Sequence, residues 1–186
     1  MTKKIKSGLY KKYIEEVVPE LQKETPSGNV NEVPRVKKII VNMGLKKAKD
    51  DKSVLEEAKN DMANLTGLKP IVTKAKKSIS NFDLKKKDSI GCCVTLRGSK
   101  MYDFMEKLLR IIFPRIRDFD GLKRGFDNFG NLTIGLKDES VFPEIDADNI
   151  KHIKGMSITI VTDREDRELS EKMLVMLGFP FRRIGV

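Results

Sequence analysis

Hydrophobic side chains recur along the chain at two spacings, one typical of helices and one typical of strands. The helical spacing is clearest near the start, where Leu9, Tyr13, Val17 and Leu21 fall on one face. Helices are predicted over Gly8–Glu24, between Asp51 and Gly67, between Gly98 and Pro114, which is expected to break that helix, and over Arg167–Leu177. Alternating or β-branched runs predict strands at Arg35–Met43, Ser89–Arg97, Asn131–Leu136 and Met156–Thr162, with further strand-like residues at Ile71 and Val72.

The order of these elements predicts an α+β fold. Helices and strands alternate irregularly, and hairpin-like connections favour a mostly antiparallel sheet with helices packed on one face. A long basic loop joins two of the strands. The run from Val141 to Asp146, in an acidic stretch, is expected to be an edge strand or a surface turn. With no repeats and no long linker, residues 1–186 are predicted to form a single domain.

Positive charge is concentrated in the first half of the chain. The net charge is +10, and residues 1–93 carry 21 basic and 12 acidic side chains, against 16 and 15 in residues 94–186. The densest stretch, Lys69–Lys87, holds seven lysines and one acid, and we call it the basic loop. Because lysines that neutralise phosphates release counterions, contact with RNA is favoured over the alternative of a solvated, disordered loop.

Other basic segments also favour contact with a structured RNA. The segment Arg35–Lys49 contains no acid, although it could instead be a basic edge strand that discourages aggregation. Arg115 and Arg117 could grip phosphates or could pair with nearby aspartates, and the pattern does not choose between these. Tyr13 is expected in the core because of its helical spacing, whereas Tyr10 could pack or stack on a base.

Catalytic, metal and membrane functions find little support in the sequence. The lone histidine, His152, lies in a basic patch beside Lys151 and Lys154, which is more typical of a surface residue than of a general base. Cys92 and Cys93 point to opposite faces of a strand and lack the spacing of a metal or redox site. No nucleotide-binding glycine motif and no membrane-spanning run is present. We therefore predict no enzyme activity, metal, cofactor or small-molecule substrate, no membrane association, and a cytoplasmic location.

Six motifs in order resemble those of one family. They are VNMG (41–44), TGLKPIVTKAKKSI (66–79), VTLRG (94–98), PRIRDF (114–119), VFPEID (141–146) and LGFPF (177–181). Together they resemble the family of bacterial large-subunit ribosomal protein five, the 5S rRNA-binding protein of the central protuberance. The likeness covers nearly the whole chain. One departure is visible, because Leu68 stands where family members commonly have a glutamine that could hydrogen-bond RNA.

The resemblance implies a scaffolding function in the 50S ribosomal subunit. It implies as partners 5S rRNA, adjacent 23S rRNA, the P-site tRNA and ribosomal protein thirteen of the small-subunit head, across an intersubunit bridge. The segment implied to contact tRNA is about residues 72–88, which covers most of the basic loop. The alternative is a nonspecific RNA-binding or chaperone protein that uses the same basic patches.

The resemblance also implies two sets of contact residues. Contact with 5S rRNA is carried onto Asn42, Lys69 and Thr95, with Lys3, Lys4 and Lys37 as further candidates. Contact with tRNA is carried onto Thr73, Lys74, Lys76, Lys77, Ser78, Ser80, Asn81 and Phe82. The two sets predict a division of labour in which the folded body holds 5S rRNA and the loop holds tRNA.

Overall fold

The computed structural model of the chain describes residues 7–25, 28–45, 51–145 and 153–182. Its strands are β1 Val36–Gly44, β2 Ile71–Lys74, β3 Ser89–Leu96, β4 Leu132–Leu136 and β5 Met156–Thr162. Its helices are α1 Gly8–Lys12, α2 Val18–Glu24, α3 Lys52–Thr66, α4 Ser99–Lys107, α5 Phe113–Arg115 and α6 Arg167–Leu177. The strands form one mostly antiparallel sheet in the order β2-β3-β1-β5-β4, which confirms the predicted α+β class.

Helix boundaries follow local signals that are visible in the sequence. Asp51 caps α3, because its carboxylate accepts a hydrogen bond from the backbone N–H of Ser53, and Gly67 ends the helix in the left-handed conformation. Asp166 caps α6 in the same way and Gly178 ends it. These helices therefore begin and end within a residue or two of their predicted positions.

Two prolines lie inside helices that continue past them, and in both cases a π-helical turn comes first. The turn Tyr13–Val17 precedes Pro19, and the turn Leu108–Ile112 precedes Pro114. The helix extends only one residue beyond Pro114, to Arg115, so the predicted break lies within a residue or two of the observed end. The wider π turn changes the hydrogen-bond register just where proline lacks an N–H and would clash with the preceding turn.

The chain divides into two compact units. Unit 1 contains residues 1–39, 96–134 and 159–186, and its described part includes α1, α2, α4, α5 and α6. Tyr13 is buried there, as predicted, and its hydroxyl donates to the backbone oxygen of Pro34 at 3.1 Å. Burial raises the pKa of Tyr13 to about 12. Tyr10 packs edge-on against Tyr102 with ring centroids 5.0 Å apart.

Unit 2 contains residues 40–95 and 135–158, including α3, β2 and the basic loop. Helix α3 lies against β3, where the buried Cys92 thiol is 3.8 Å from the backbone oxygen of Ala58. Burial raises the pKa of this thiol to about 11, so it stays protonated at neutral pH. The prediction that residues 1–186 form a single domain stays a prediction.

The fold decides two of the alternatives left open by the sequence. Strand β1 lies at the centre of the sheet order, so the suggestion of a basic edge strand for Arg35–Lys49 is wrong for its described part. The described part of the Val141–Asp146 run is a turn and not an edge strand. Val141 ends the 3₁₀ turn Glu139–Val141, and Phe142 after it is completely buried, so the turn is anchored in the core.

Candidate nucleic-acid interface

The open face of the sheet in unit 2 places two predicted 5S rRNA contacts on adjacent strands. In β1, Met43 and Val41 are buried while Asn42 between them is exposed. In β3, Val94 and Leu96 are buried while Thr95 between them is exposed. Because side chains alternate between faces, Asn42 and Thr95 point to the same open side of neighbouring strands.

Strands β1 and β3 approach each other closely beside Asn42. Gly91 lies on the open face, and a Cβ atom there would be only 2.3 Å from the backbone oxygen of Met43. Glycine is therefore required for β3 to approach β1 this closely. The amide of Asn42 and the hydroxyl of Thr95 offer both donors and acceptors, which suits the edges of bases and ribose hydroxyls.

The basic loop is folded rather than extended. Backbone hydrogen bonds join Ala75 to Asp88 and Lys87 to Ala75 at its base, at 2.8 and 2.9 Å. Farther out, Ile79 and Leu84 exchange two bonds of 2.9 and 3.1 Å around the 3₁₀ turn Ser80–Phe82. These bonds close the loop in two places, so its backbone is ordered in the structure rather than disordered.

Most side chains predicted to contact tRNA are exposed on this loop. Thr73 is half-buried at the end of β2, and the exposed ones are Lys74, Lys76, Lys77, Ser78, Ser80 and Asn81. Among the described residues, no ion pair involves the three lysines, so their charges face solvent. Ser78 also stabilises the loop, since its hydroxyl accepts a hydrogen bond from the backbone N–H of Lys86 at 3.0 Å. Phe82 lies in the 3₁₀ turn.

The remaining predicted 5S rRNA contacts divide into two groups. Lys37 on β1 and Lys69 before β2 are both exposed. Lys3 and Lys4 lie outside the described residues, as does His152.

The arginines Arg115 and Arg117 are both exposed. Within the described ranges, neither of them forms an ion pair with a neighbouring aspartate. One of these aspartates, Asp120, lies 3.8 Å from Arg182 instead.

A buried charge cluster in unit 2 was missed by sequence reasoning. Lys154, expected in an exposed basic patch, is buried, and its ammonium lies 2.9 Å from Asp61 Oδ2, 3.2 Å from Glu139 Oε1 and 4.0 Å from Glu57 Oε2. Glu139 is completely buried, and its Oε2 has no hydrogen-bond partner. No local pattern links Lys154 to Asp61, which lies 93 positions away along the chain.

Membrane and metal binding find no support in the part of the chain that the structure describes. No helix among these residues is long and apolar enough to span a membrane. No group of three or more histidine, cysteine, aspartate or glutamate side chains in the same residues could hold a metal ion.

Comparison with known proteins gives one consistent result. A family model described as ribosomal protein L5 matches residues 29–85, and a second model, which describes the C-terminus of the same ribosomal family, matches residues 89–181. The chain is 49% identical over 177 residues to a large ribosomal subunit protein uL5 of Thermus thermophilus, covering 95% of this chain and 97% of the relative. It is 46% identical over 180 residues to that of Mesoplasma florum, covering 96% and 100%.

These matches confirm the resemblance inferred from the six motifs. They cover most of the chain and both of its units, and the family is one of ribosomal structural proteins rather than a class of enzymes. The chain therefore belongs to the ribosomal protein L5 (uL5) family and is a protein of the large ribosomal subunit.

Proposed function

We propose that this protein binds 5S rRNA through the open face of the sheet in unit 2. The observation that carries the proposal is that Asn42 and Thr95 are both exposed on adjacent strands, beside a glycine that lets these strands approach closely. Exposed amide and hydroxyl groups suit the shallow minor groove of an RNA helix, where ribose hydroxyls are displayed. Exposed Lys37 and Lys69, together with the N-terminal Lys3 and Lys4, would add contacts to phosphates.

Replacing Asn42 and Thr95 with alanine together should weaken 5S rRNA binding by roughly 10- to 100-fold. Each substitution removes hydrogen bonds worth about 1 kcal/mol, and tenfold in affinity corresponds to about 1.4 kcal/mol. Because no charge is lost, the slope of log affinity against log salt should stay unchanged. Filter binding over a range of salt concentrations measures both quantities.

The matched control is Asn64→Ala, which removes an exposed asparagine from α3 in the same unit. This variant should bind 5S rRNA like the parent protein. An unrelated RNA of equal length provides the second comparison. Equal affinity of the parent protein for both RNAs would instead support the alternative of a nonspecific RNA-binding or chaperone protein.

The basic loop is proposed to hold the P-site tRNA. Support comes from three lysines, Lys74, Lys76 and Lys77, that project from a loop closed by its own backbone bonds. A preformed loop loses less conformational entropy on binding than a disordered one. Thr73, Ser78, Ser80, Asn81 and Phe82 would complete the contact as the resemblance implies. Adjacent 23S rRNA, and ribosomal protein thirteen of the small subunit across an intersubunit bridge, complete the proposed set of partners.

Changing Lys74, Lys76 and Lys77 to alanine together should speed release of P-site tRNA from ribosomes by about tenfold. Three exposed contacts of roughly 0.5 kcal/mol each give this factor. Affinity for free 5S rRNA should change little, because the open face of the sheet is untouched. Release is measured by nitrocellulose retention of labelled tRNA.

The matched control changes Lys85, Lys86 and Lys87 to alanine, which removes the same charge from the returning arm of the loop. This control should retain tRNA better than the first variant does. If both triple variants released tRNA equally fast, charge alone would explain the effect. If the first variant lost 5S rRNA binding, the proposed division of labour would be wrong.

A further inference from the structure

Two exposed apolar side chains lie on neighbouring loops of unit 1. Val30 is 53% exposed and Phe129 is 55% exposed. A guanidinium nitrogen of Arg164 donates to the backbone oxygen of Asn31, next to Val30, and the hydroxyl of Thr162 donates to the backbone oxygen of Gly130, next to Phe129. Since Thr162 and Arg164 are two residues apart, these bonds hold both loops beside the same short segment, and the three segments form one surface region of unit 1. We call it the Phe129 surface, formed by residues 29–35, 127–131 and 162–168.

The loop that carries Phe129 is fixed by side-chain hydrogen bonds. The carboxylate of Asp127 accepts from the backbone N–H groups of Phe129 and Asn131, at 2.9 and 2.8 Å, and from the side-chain amide of Asn131. A Cβ atom at Gly130, whose φ is +76°, would lie 2.6 Å from the hydroxyl of Ser170 on α6. The loop is thus held against α6, and an aromatic residue on a fixed loop suits the role of a binding anchor because little entropy is lost.

The charge of this surface is opposite to that of the whole protein. Its three segments hold six carboxylates and three arginines, a net charge of −3, whereas the chain as a whole carries +10. Arg35 pairs with Asp163 at 2.6 Å, and Arg164 binds the backbone of Asn31, so two of the three arginines are engaged within the surface. Such a surface repels the phosphates of RNA and attracts a cationic polypeptide.

We propose that the Phe129 surface docks a lysine- and arginine-rich segment of another protein, with Phe129 and Val30 as apolar anchors. Exposed carboxylates around them, including Glu165 and Glu168, would pair with the partner's cations. An apolar centre with a charged rim is the usual anatomy of a protein–protein interface. This contact is separate from the proposed RNA-binding residues, so either proposal can fail without the other.

Photocrosslinking in assembled large subunits tests the contact directly. Phe129 is replaced by p-benzoylphenylalanine, and irradiated subunits are analysed by electrophoresis and mass spectrometry. The expected product joins residue 129 to a protein segment rich in lysine and arginine. Crosslinking to rRNA, crosslinking to a segment without this basic character, or no crosslink to another molecule would each overturn the proposal.

Two controls separate this contact from general proximity. The same amino acid at Ile111, which is 42% exposed in the same unit, should not crosslink to that segment. Reversing two charges, Glu165→Lys with Glu168→Lys, should lower the yield from residue 129 at least fivefold in subunits that have assembled normally. Should the reversal prevent assembly, Glu165→Gln with Glu168→Gln provides a milder test with the same expected direction. An unchanged yield in an assembled variant would count against a basic partner.

Discussion

Replacing Lys154 with methionine is expected to lower the free energy of unfolding by about 3 kcal/mol near neutral pH. The Lys154 side chain is 4% exposed, and its ammonium is the cation that lies among Asp61, Glu139 and Glu57. Methionine fills much of the same volume but leaves these carboxylates without their positive partner. The expected loss of unfolding free energy is at the lower end of the range for broken buried ion pairs, because Asp61 and Glu57 are partly exposed to water.

Urea unfolding followed by circular dichroism measures this loss, and Lys172→Met is the matched control. Lys172 also forms a close ion pair, 2.6 Å from Glu24, but its side chain is 54% exposed. An exposed pair contributes little to stability, so the control should lose far less than Lys154→Met does. Equal losses in the two variants would show that burial does not set the strength of the Lys154 pairs.

Much of the fold could be predicted because its signals are local. Helix α3 begins after the cap residue Asp51 and ends before the left-handed Gly67. Both residues form hydrogen bonds to helix residues only two to four positions away. The structure places Asn42 and Thr95 at exposed positions of β1 and β3, between buried neighbours. Their assignment to 5S rRNA contact rests instead on the resemblance of the motifs around them.

The missed features depend on residues far apart in the chain. The sequence around Lys154 gives no local signal that this side chain is buried. Its burial depends on α3 and the turn at Glu139, which both contact its ammonium group. The surface around Phe129 likewise requires three segments to come together.

Glu139 should make the stability of the protein fall as the pH rises through neutrality. Burial raises the pKa of Glu139 from 4.5 to about 7, and the charge of Lys154 offsets this only in part. Glu139 Oε2 has no hydrogen-bond partner, which is consistent with a proton on that oxygen. One ammonium group, that of Lys154, is shared among three carboxylates and cannot neutralise all of them. Between pH 4.5 and 7 the folded protein keeps this proton while the unfolded chain has lost it, so folding is favoured at the acidic end of this window.

The variant Glu139→Gln removes this titration while keeping the shape of the side chain. The difference in free energy of unfolding, parent minus variant, should therefore fall by about 2–3 kcal/mol between pH 5 and pH 8. Urea unfolding at each pH gives this difference, and titrations elsewhere cancel from it. Asn64→Ala, which removes no ionisable group, should give a difference that does not vary with pH. A difference that stayed constant for Glu139→Gln would mean that Glu139 is ionised in the folded protein throughout, with Lys154 fully offsetting its burial.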